Sequence, residues 1–141
     1  ESDAYRRDAL PGARPILDDR RSVMSYIQGF LVAVPTKNKD AYRDMAAKSA
    51  EIFEEYGATR IVECWGDSVP DGKVTDFKRA VKAKDDETVV FAWIEWSDKA
   101  IYEAAATKME TDERWKAMPE MPFDGKRMMW AGFEPLFESG S

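Results

Sequence analysis

The sequence predicts an α+β domain in which two helices cover one face of an antiparallel sheet. Three segments are strand-like and apolar on both faces, residues 26–34, 88–96 and 128–137. Two helical patterns, residues 39–56 and 98–111, separate them. An antiparallel sheet with one solvated face should alternate apolar and polar residues, whereas a doubly buried sheet need not. Two helices cover only one face of a small sheet, so a second copy of the chain is the simplest cover for the other.

Composition limits the classes of partner. The chain has 141 residues, a net charge of −6 and no histidine. An acidic chain disfavours nucleic-acid and anionic-membrane partners, and no apolar run approaches the ~18 residues that span a bilayer. Without histidine, most zinc sites and proximal-His haem ligation are excluded, and we expect no metal and no cofactor. Cys64 is the only cysteine, which rules out an intrachain disulfide and favours the cytoplasm.

The composition divides the chain near residue 23. Residues 1–23 carry five Arg and no Lys, and we interpret them as an N-terminal extension or an expression-derived segment that is weakly ordered. The folded domain is predicted to cover residues 24–138. Residues 139–141 resemble a linker scar.

The first half of the domain has clear boundaries. A first strand over 26–34 stops at Pro35, Asn38 is a plausible helix N-cap, and the helix reaches about Tyr56. Gly57 supplies the C-terminal stop. A second strand is expected from Thr59 to about Trp65.

The second half begins with a long connection. Residues 66–85 contain a turn signal at 69–73 and then alternate in polarity, which predicts an extra strand or a strand extension. A strand over 87–96 follows, and Ser97 is expected to cap a helix from Asp98 to about Thr111. A short helical turn within 112–118, an ordered loop and a last strand over 126–137 complete the chain.

This order, β-α-β-β-α-β, is the ferredoxin-like pattern. The alternation of side chains along the strands then separates two predicted faces. One is mainly aliphatic and is expected under the helices: Ile27, Leu31, Val62, Cys64, Val90, Ala92, Ile94, Met129, Ala131 and Phe133. The other is aromatic with three carboxylates: Phe30, Val32, Glu63, Trp65, Phe91, Trp93, Glu95, Met128, Trp130 and Glu134. Exposed to water, the second face would be an unusually large apolar patch, so it predicts a homodimer formed through the sheet.

Several segments resemble the YbaA-like family, which is numbered 1428 among domains of unknown function. They are residues 24–30, 62–64, 67–75, 77, 79–84, 86–93 and 121–128, and the resemblance covers roughly residues 24–138. It implies a bacterial protein with a dimeric α/β-barrel arrangement of ferredoxin-like subunits. It implies no reaction, since that wider group includes cofactor-independent monooxygenases, isomerases, haem-handling proteins and ligand-binding modules. The absence of histidine argues against the haem-handling branch.

The candidate site residues belong to the aromatic face. Glu63, Glu95 and Glu134 are candidate catalytic residues, because a carboxylate among aromatic side chains has a raised pKa and can transfer protons. The alternative is a salt bridge to Arg79, Lys126, Arg127 or a subunit mate. The candidate ligand-binding residues are Trp65, Phe91, Trp93, Trp130, Lys126 and Arg127, and the alternative for the aromatic ones is simple interface packing. Cys64 is expected to behave as a small hydrophobic residue.

Two functions follow from these residues. The first is a dimer that binds or transforms a small apolar or aromatic metabolite. The second is a non-catalytic interaction or structural homodimer module.

Overall fold

The computed structural model of the protein describes residues 25–140. The predicted extension 1–23, with Met24 and Ser141, lies outside the described residues. The strands are β1 (Tyr26–Pro35), β2 (Ala58–Trp65), β3 (Glu87–Trp96) and β4 (Met129–Phe133). The helices are α1 (Lys39–Tyr56), α2 (Phe77–Ala80), α3 (Lys99–Thr111) and α4 (Glu113–Lys116). Single 3-10 turns occupy Thr36–Asn38 and Gly125–Arg127.

The four strands form one antiparallel sheet in the order β2-β3-β1-β4. Each of the two long helices therefore connects strands that are not neighbours, α1 between β1 and β2 and α3 between β3 and β4. This is the ferredoxin-like topology, and it confirms the predicted α+β class. The last strand is shorter than predicted, covering Met129–Phe133 and not residues 126–137.

Helix α1 buries four side chains along the face that packs on the sheet, those of Tyr42, Ser49, Ile52 and Tyr56. It ends where predicted: Gly57 adopts a left-handed conformation with φ 117°, and its N–H donates to the Glu54 carbonyl. The start differs from the prediction. The Asn38 side chain makes no capping bond and instead donates to the Pro122 carbonyl over 2.9 Å, which holds the loop before β4 against the start of α1.

The N-cap of α3 also differs from the prediction by one residue. Asp98, and not Ser97, accepts a hydrogen bond from the Ile101 N–H over 2.8 Å. A carboxylate at this position also interacts favourably with the helix dipole.

The predicted extra strand after β2 is wrong. Among the described residues, the segment between β2 and β3 contains the short helix α2, which is capped by Asp76. After it, Val81 is 1% exposed and packs with Ala33 and Val89. The alternation of apolar and polar residues in this segment therefore does not add a strand to the sheet described for residues 25–140. It instead places one apolar side chain, Val81, in a buried position against the sheet.

The assignment of faces was correct for β3 and wrong for β1, β2 and β4. Val32 pairs with Val90, and both pack with Tyr42 of α1, so the even-numbered residues of β1 face the helices. Glu63 and Trp130 also lie on the helix side, opposite Ala92 and Phe30 respectively. Among the residues predicted to face the helices, seven lie on the other side, which we call the open face: Ile27, Leu31, Val62, Cys64, Met129, Ala131 and Phe133.

The face assignment failed because β1 is apolar on both of its faces. Because side chains alternate with a period of two, the offset between neighbouring strands decides which set points inward. In β1 both sets are apolar, so polarity does not reveal that offset.

We predict that Gly57→Ala lowers the free energy of unfolding by about 1–2 kcal/mol, because a side chain disfavours the left-handed backbone of the α1 cap. A Cβ at this position would also lie 2.8 Å from Cγ2 of Ile101. Urea denaturation measures the change. Gly125→Ala is the matched control, because a Cβ there meets nothing within 4 Å. Equal stability of the two variants would contradict this account of the cap.

Candidate functional site

A cleft of about 480 Å³ lies between helix α1 and the edge strand β2. We call it the α1–β2 cleft. Three alanine side chains of α1 are too small to fill the gap between the helix and the strand, and a hydrogen-bonded Tyr–Glu pair contributes to the lining. Its lining residues are Lys39, Tyr42, Arg43, Ala46, Ala47, Ala50, Glu54, Ile61, Glu63, Cys64, Trp65 and Val90. The volume falls in the range of small-molecule sites.

Glu63 and Tyr42 form the central polar contact of this cleft. The Tyr42 hydroxyl donates to Oε1 of Glu63 over 2.7 Å. Tyr42 is 8% exposed, and burial together with the Glu63 charge raises the pKa of Tyr42 well above its ordinary value of 10. Tyr42 therefore remains a donor throughout the physiological pH range.

Glu63 keeps capacity for a further partner. It is exposed at the mouth of the cleft, yet the desolvation that it does experience raises the pKa of Glu63 above its ordinary 4.5, with the Tyr42 hydrogen bond acting in the opposite direction. No cation pairs with its carboxylate among residues 25–140, and Oε2 accepts no hydrogen bond there. The carboxylate can accept a hydrogen bond or a proton from a bound molecule.

The cations of the α1–β2 cleft are placed away from Glu63. The Lys39 ammonium lies 5.5 Å from the centroid of the Trp65 ring, a cation–π arrangement. Arg43 contacts Asp40 over 3.2 Å on the exposed side of α1. With Glu54 and Glu63, the lining carries two positive and two negative groups, so the cleft does not favour one net charge.

The other two candidate carboxylates lie elsewhere. Glu95 is on the open face, where it accepts from the Trp93 indole over 3.0 Å and contacts Arg60 over 3.6 Å. Glu134 follows the end of β4 and is exposed. The structure therefore does not bring the three candidate carboxylates together.

The candidate aromatic residues divide between the two faces. Trp65 lines the α1–β2 cleft. Phe91 and Trp93 contact each other on the open face in a tilted arrangement with ring centroids 5.9 Å apart, and Phe77 makes an edge-on contact with Phe91. Trp130 lies on the helix side, at a second cleft that is separate from the first.

The two candidate cations lie at the turn before β4. Lys126 is exposed and lines neither cleft. Arg127 binds Glu87 through two 2.7 Å hydrogen bonds, and it also donates to Asp124 over 3.0 Å. The Arg127 and Glu87 side chains are 16% and 5% exposed, which makes this pair a structural clamp between the turn and the start of β3.

Sequence reasoning missed Tyr42 and Lys39 as site residues, because their positions on α1 fit an ordinary amphipathic helix. Tyr42 is buried and packs with Val32 and Val90 of the sheet, as an ordinary apolar position of such a helix would. Glu63 did indicate that a hydrogen-bond donor should lie nearby, because a carboxylate on an apolar strand requires one. Identifying Tyr42 as that donor requires the register between β2 and β3, which places Glu63 on the helix side. Cys64 was expected under the helices, whereas its alternation places it on the open side of the edge strand, half-buried beside the cleft.

Residues 25–140 contain no group of three or more Cys, Asp or Glu side chains placed to hold a metal ion. No helix in this range combines the length and apolarity required to cross a bilayer.

The sequence matches one known protein family. A family described as "Protein of unknown function (DUF1428)" matches residues 25–125. The chain belongs to this family. The uncharacterised protein YbaA of Escherichia coli K12 is 59% identical over 116 residues, which cover 82% of this chain and 99% of YbaA. The YbaA protein of Shigella flexneri matches to the same extent. The YbaA-like resemblance is thereby confirmed.

One solved structure is also similar. It is a Bacillus cereus protein provisionally described as an antibiotic biosynthesis monooxygenase, with a TM-score of 0.39 and 16% identity. The match covers 84% of this chain and 99% of that one. At this level of similarity it supports no conclusion about activity.

We predict that the Glu87–Arg127 clamp makes stability fall in acid. The hydrogen bonds from Arg127 lower the pKa of Glu87 to about 2 from its ordinary 4.5. A depressed pKa in the folded state gives stability that is present above pH 4.5 and is lost as the pH falls toward 2. Urea denaturation between pH 6 and pH 3 should show a smaller loss for Glu87→Gln than for the parent protein.

The matched control is Asp71→Asn. Asp71 contacts Lys78 over 3.3 Å, but their side chains are 77% and 50% exposed, so this pair contributes little. Its pH profile should follow that of the parent protein. A parent-like slope for Glu87→Gln would contradict the assignment of the clamp.

Proposed function

We propose that this protein binds a small aromatic or apolar molecule that carries a hydrogen-bond donor, in the α1–β2 cleft. The observation that carries the proposal is the Glu63 carboxylate, which stands in a cleft of about 480 Å³ with only Tyr42 as a partner among residues 25–140. Within residues 25–140, Glu63 forms no salt bridge to Arg79, Lys126 or Arg127, and the predicted pairing with a subunit mate stays a prediction. Arg79 contacts Asp76, and Arg127 contacts Glu87.

Glu63 is the acceptor for the donor group of the ligand. Oε1 is oriented by Tyr42, while Oε2 remains available at the cleft. A ligand hydroxyl or N–H that reaches Oε2 would form a charge-assisted hydrogen bond. Where that group is acidic, the raised pKa of Glu63 suits it to take the proton, which is the step by which binding would become catalysis.

The apolar part of the ligand is accommodated by α1. Ala46, Ala47 and Ala50 leave a shallow wall along the helix, and Trp65 and Val90 supply apolar surface on the sheet side. Such a surface favours a flat or compact hydrophobic body. The balanced charge of the rim is consistent with a neutral ligand.

The test uses 2-naphthol, a neutral aromatic molecule with one donor, and 2-methoxynaphthalene, which lacks the donor. We expect 2-naphthol to bind and to perturb the Trp65 indole signal in ¹H–¹⁵N spectra. Glu63→Gln should weaken this binding about ten-fold, because a hydrogen bond to a charged acceptor is worth about 1.5–3 kcal/mol and a neutral one about 1. Binding to the parent protein should weaken with acid, starting above pH 4.5, as Glu63 is protonated.

Two variants of α1 serve as a matched pair. Ala47→Leu places a larger side chain in the cleft and should abolish binding, whereas Ala41→Leu changes an exposed alanine that does not line it. Equal affinity for the two naphthalenes, or binding that survives Ala47→Leu, would overturn the proposal.

We also propose that two copies of the chain associate through the open face. Phe91, Met129 and Phe133 on this face are 47%, 45% and 56% exposed. Together they form an apolar surface of the kind that marks an interface. A twofold interface must be self-complementary, and Arg60 with Glu95 supplies both signs of charge at one side of this surface.

The mass of the full chain in solution tests the association. Light scattering should give twice the 16.1 kDa of one chain at micromolar concentration. Met129→Glu should give a monomer, because it places an unpaired charge in the apolar interface. Leu136→Glu, at a 94% exposed residue outside the sheet, should leave the mass unchanged. A monomeric parent protein, or a dimeric Met129→Glu variant, would rule out this interface.

A further inference from the structure

A second cleft, of about 320 Å³, lies on the helix side between α3 and strands β1 and β4. We call it the α3–β4 cleft. Its walls are mostly aromatic and thioether side chains, with one amide and one carboxylate. The lining residues are Gln28, Phe30, Phe53, Trp96, Tyr102, Ala105, Ala106, Met109, Glu110, Met128 and Trp130.

Gln28 is the unusual residue of this cleft. It is the only amide side chain in β1, it is 9% exposed, and its Oε1 accepts from the Trp96 indole over 3.3 Å. An indole nitrogen is a donor only, so the carbonyl end of the Gln28 amide must face Trp96. The –NH₂ end therefore points away from Trp96.

The –NH₂ group of Gln28 has no partner within residues 25–140. No hydrogen bond from Nε2 is formed there. Since no fully buried side-chain nitrogen or oxygen in this part of the chain lacks a partner, Nε2 is not fully buried, as expected for an amide that lines this cleft. An amide N–H that opens into a largely apolar hollow offers one directional hydrogen bond to an acceptor on a bound molecule.

We propose that the α3–β4 cleft binds a neutral aromatic molecule whose carbonyl or ether oxygen accepts a hydrogen bond from Gln28. The aromatic side chains that line this cleft favour an aromatic ligand. Phe53 and Tyr102 already make edge-on contacts with Trp96, with ring centroids 6.3 and 6.1 Å apart. Methionine side chains adapt to flat ligands and contact rings favourably.

Charge determines the rest of the ligand class. Among residues 25–140, no Lys or Arg lines the α3–β4 cleft, and Glu110 is the one charged side chain in its lining. An anionic ligand would meet repulsion and no compensating cation. The α1–β2 cleft instead offers an acceptor, so the two clefts differ in the hydrogen-bonding group that they require, and this inference does not depend on the proposed function.

The probe is 2-acetylnaphthalene, compared with 2-ethylnaphthalene, which has the same shape without the acceptor, and with 2-naphthoate, which is anionic. The parent protein should bind the ketone about five-fold more tightly than the hydrocarbon, the effect of one neutral hydrogen bond. The carboxylate should bind more weakly than either. In ¹H–¹⁵N spectra, the ketone should shift the side-chain amide of Gln28 and the indole of Trp130.

The variants separate the hydrogen bond from the cavity. Gln28→Met should remove the preference for the ketone while retaining binding of the hydrocarbon. Because Gln28→Met also removes the acceptor for Trp96, a second variant leaves that bond intact: Ala106→Leu fills the cleft from an exposed position on α3 and should abolish binding of both probes. Ala104→Leu, also exposed but outside the lining, is the control.

Three outcomes would overturn the inference. They are equal affinity of the parent protein for ketone and hydrocarbon, unchanged ketone binding in Ala106→Leu, and an unshifted Gln28 amide at saturation. Loss of 2-naphthol binding in Glu63→Gln concerns the other cleft and leaves this result unaffected.

Discussion

The ten-residue antiparallel pairing of β1 with β3 fixes the strand alignment from which both faces of the sheet and both clefts follow. It sets Val32 beside Val90 and Gln28 beside Ile94, and it thereby decides which half of each strand faces the helices. A shift of one residue would exchange the two faces of β1. Gln28 would then leave the helix side, and the α3–β4 cleft would lose its amide. The same offset, continued through β3 into β2, brings Glu63 under α1 and within reach of Tyr42.

The second face of the sheet is covered in two different ways. At one end the chain covers itself, since Val81 after α2 buries Ala33 and Val89. Toward the other end, Phe91, Met129 and Phe133 remain about half exposed. The long connection between β2 and β3 thus takes over part of the role that a second copy alone was expected to play. A partner chain would need to cover only the remaining surface.

The two clefts described above lie at opposite edges of the sheet, where the two long helices of the described chain leave the strands partly uncovered. One opens beside β2 and the other beside β4, and they offer opposite polar groups, the Glu63 carboxylate and the Gln28 amide. The Arg127–Glu87 clamp, by contrast, holds the turn before β4 to the start of β3. Its cation was a plausible ligand-binding residue from sequence, yet its hydrogen bonds are already used within the fold.

The sequence by itself determined the order of the main elements, the helix stop at Gly57 and membership in the family, because periodicity, glycine conformation and collinear motifs are local properties. It also singled out Glu63, since a carboxylate in an apolar strand requires a partner wherever it points. It did not determine the offset between strands, because β1 is apolar on both faces and either alignment satisfies its pattern. The extra strand predicted after β2 failed for a related reason: alternation suits a strand, but Asp76 caps a helix and Val81 finds a buried place on the sheet. Folding brings Tyr42 to Glu63 and places Gln28 in the lining of a cleft, and neither follows from local sequence, since both depend on contacts between segments far apart in the chain.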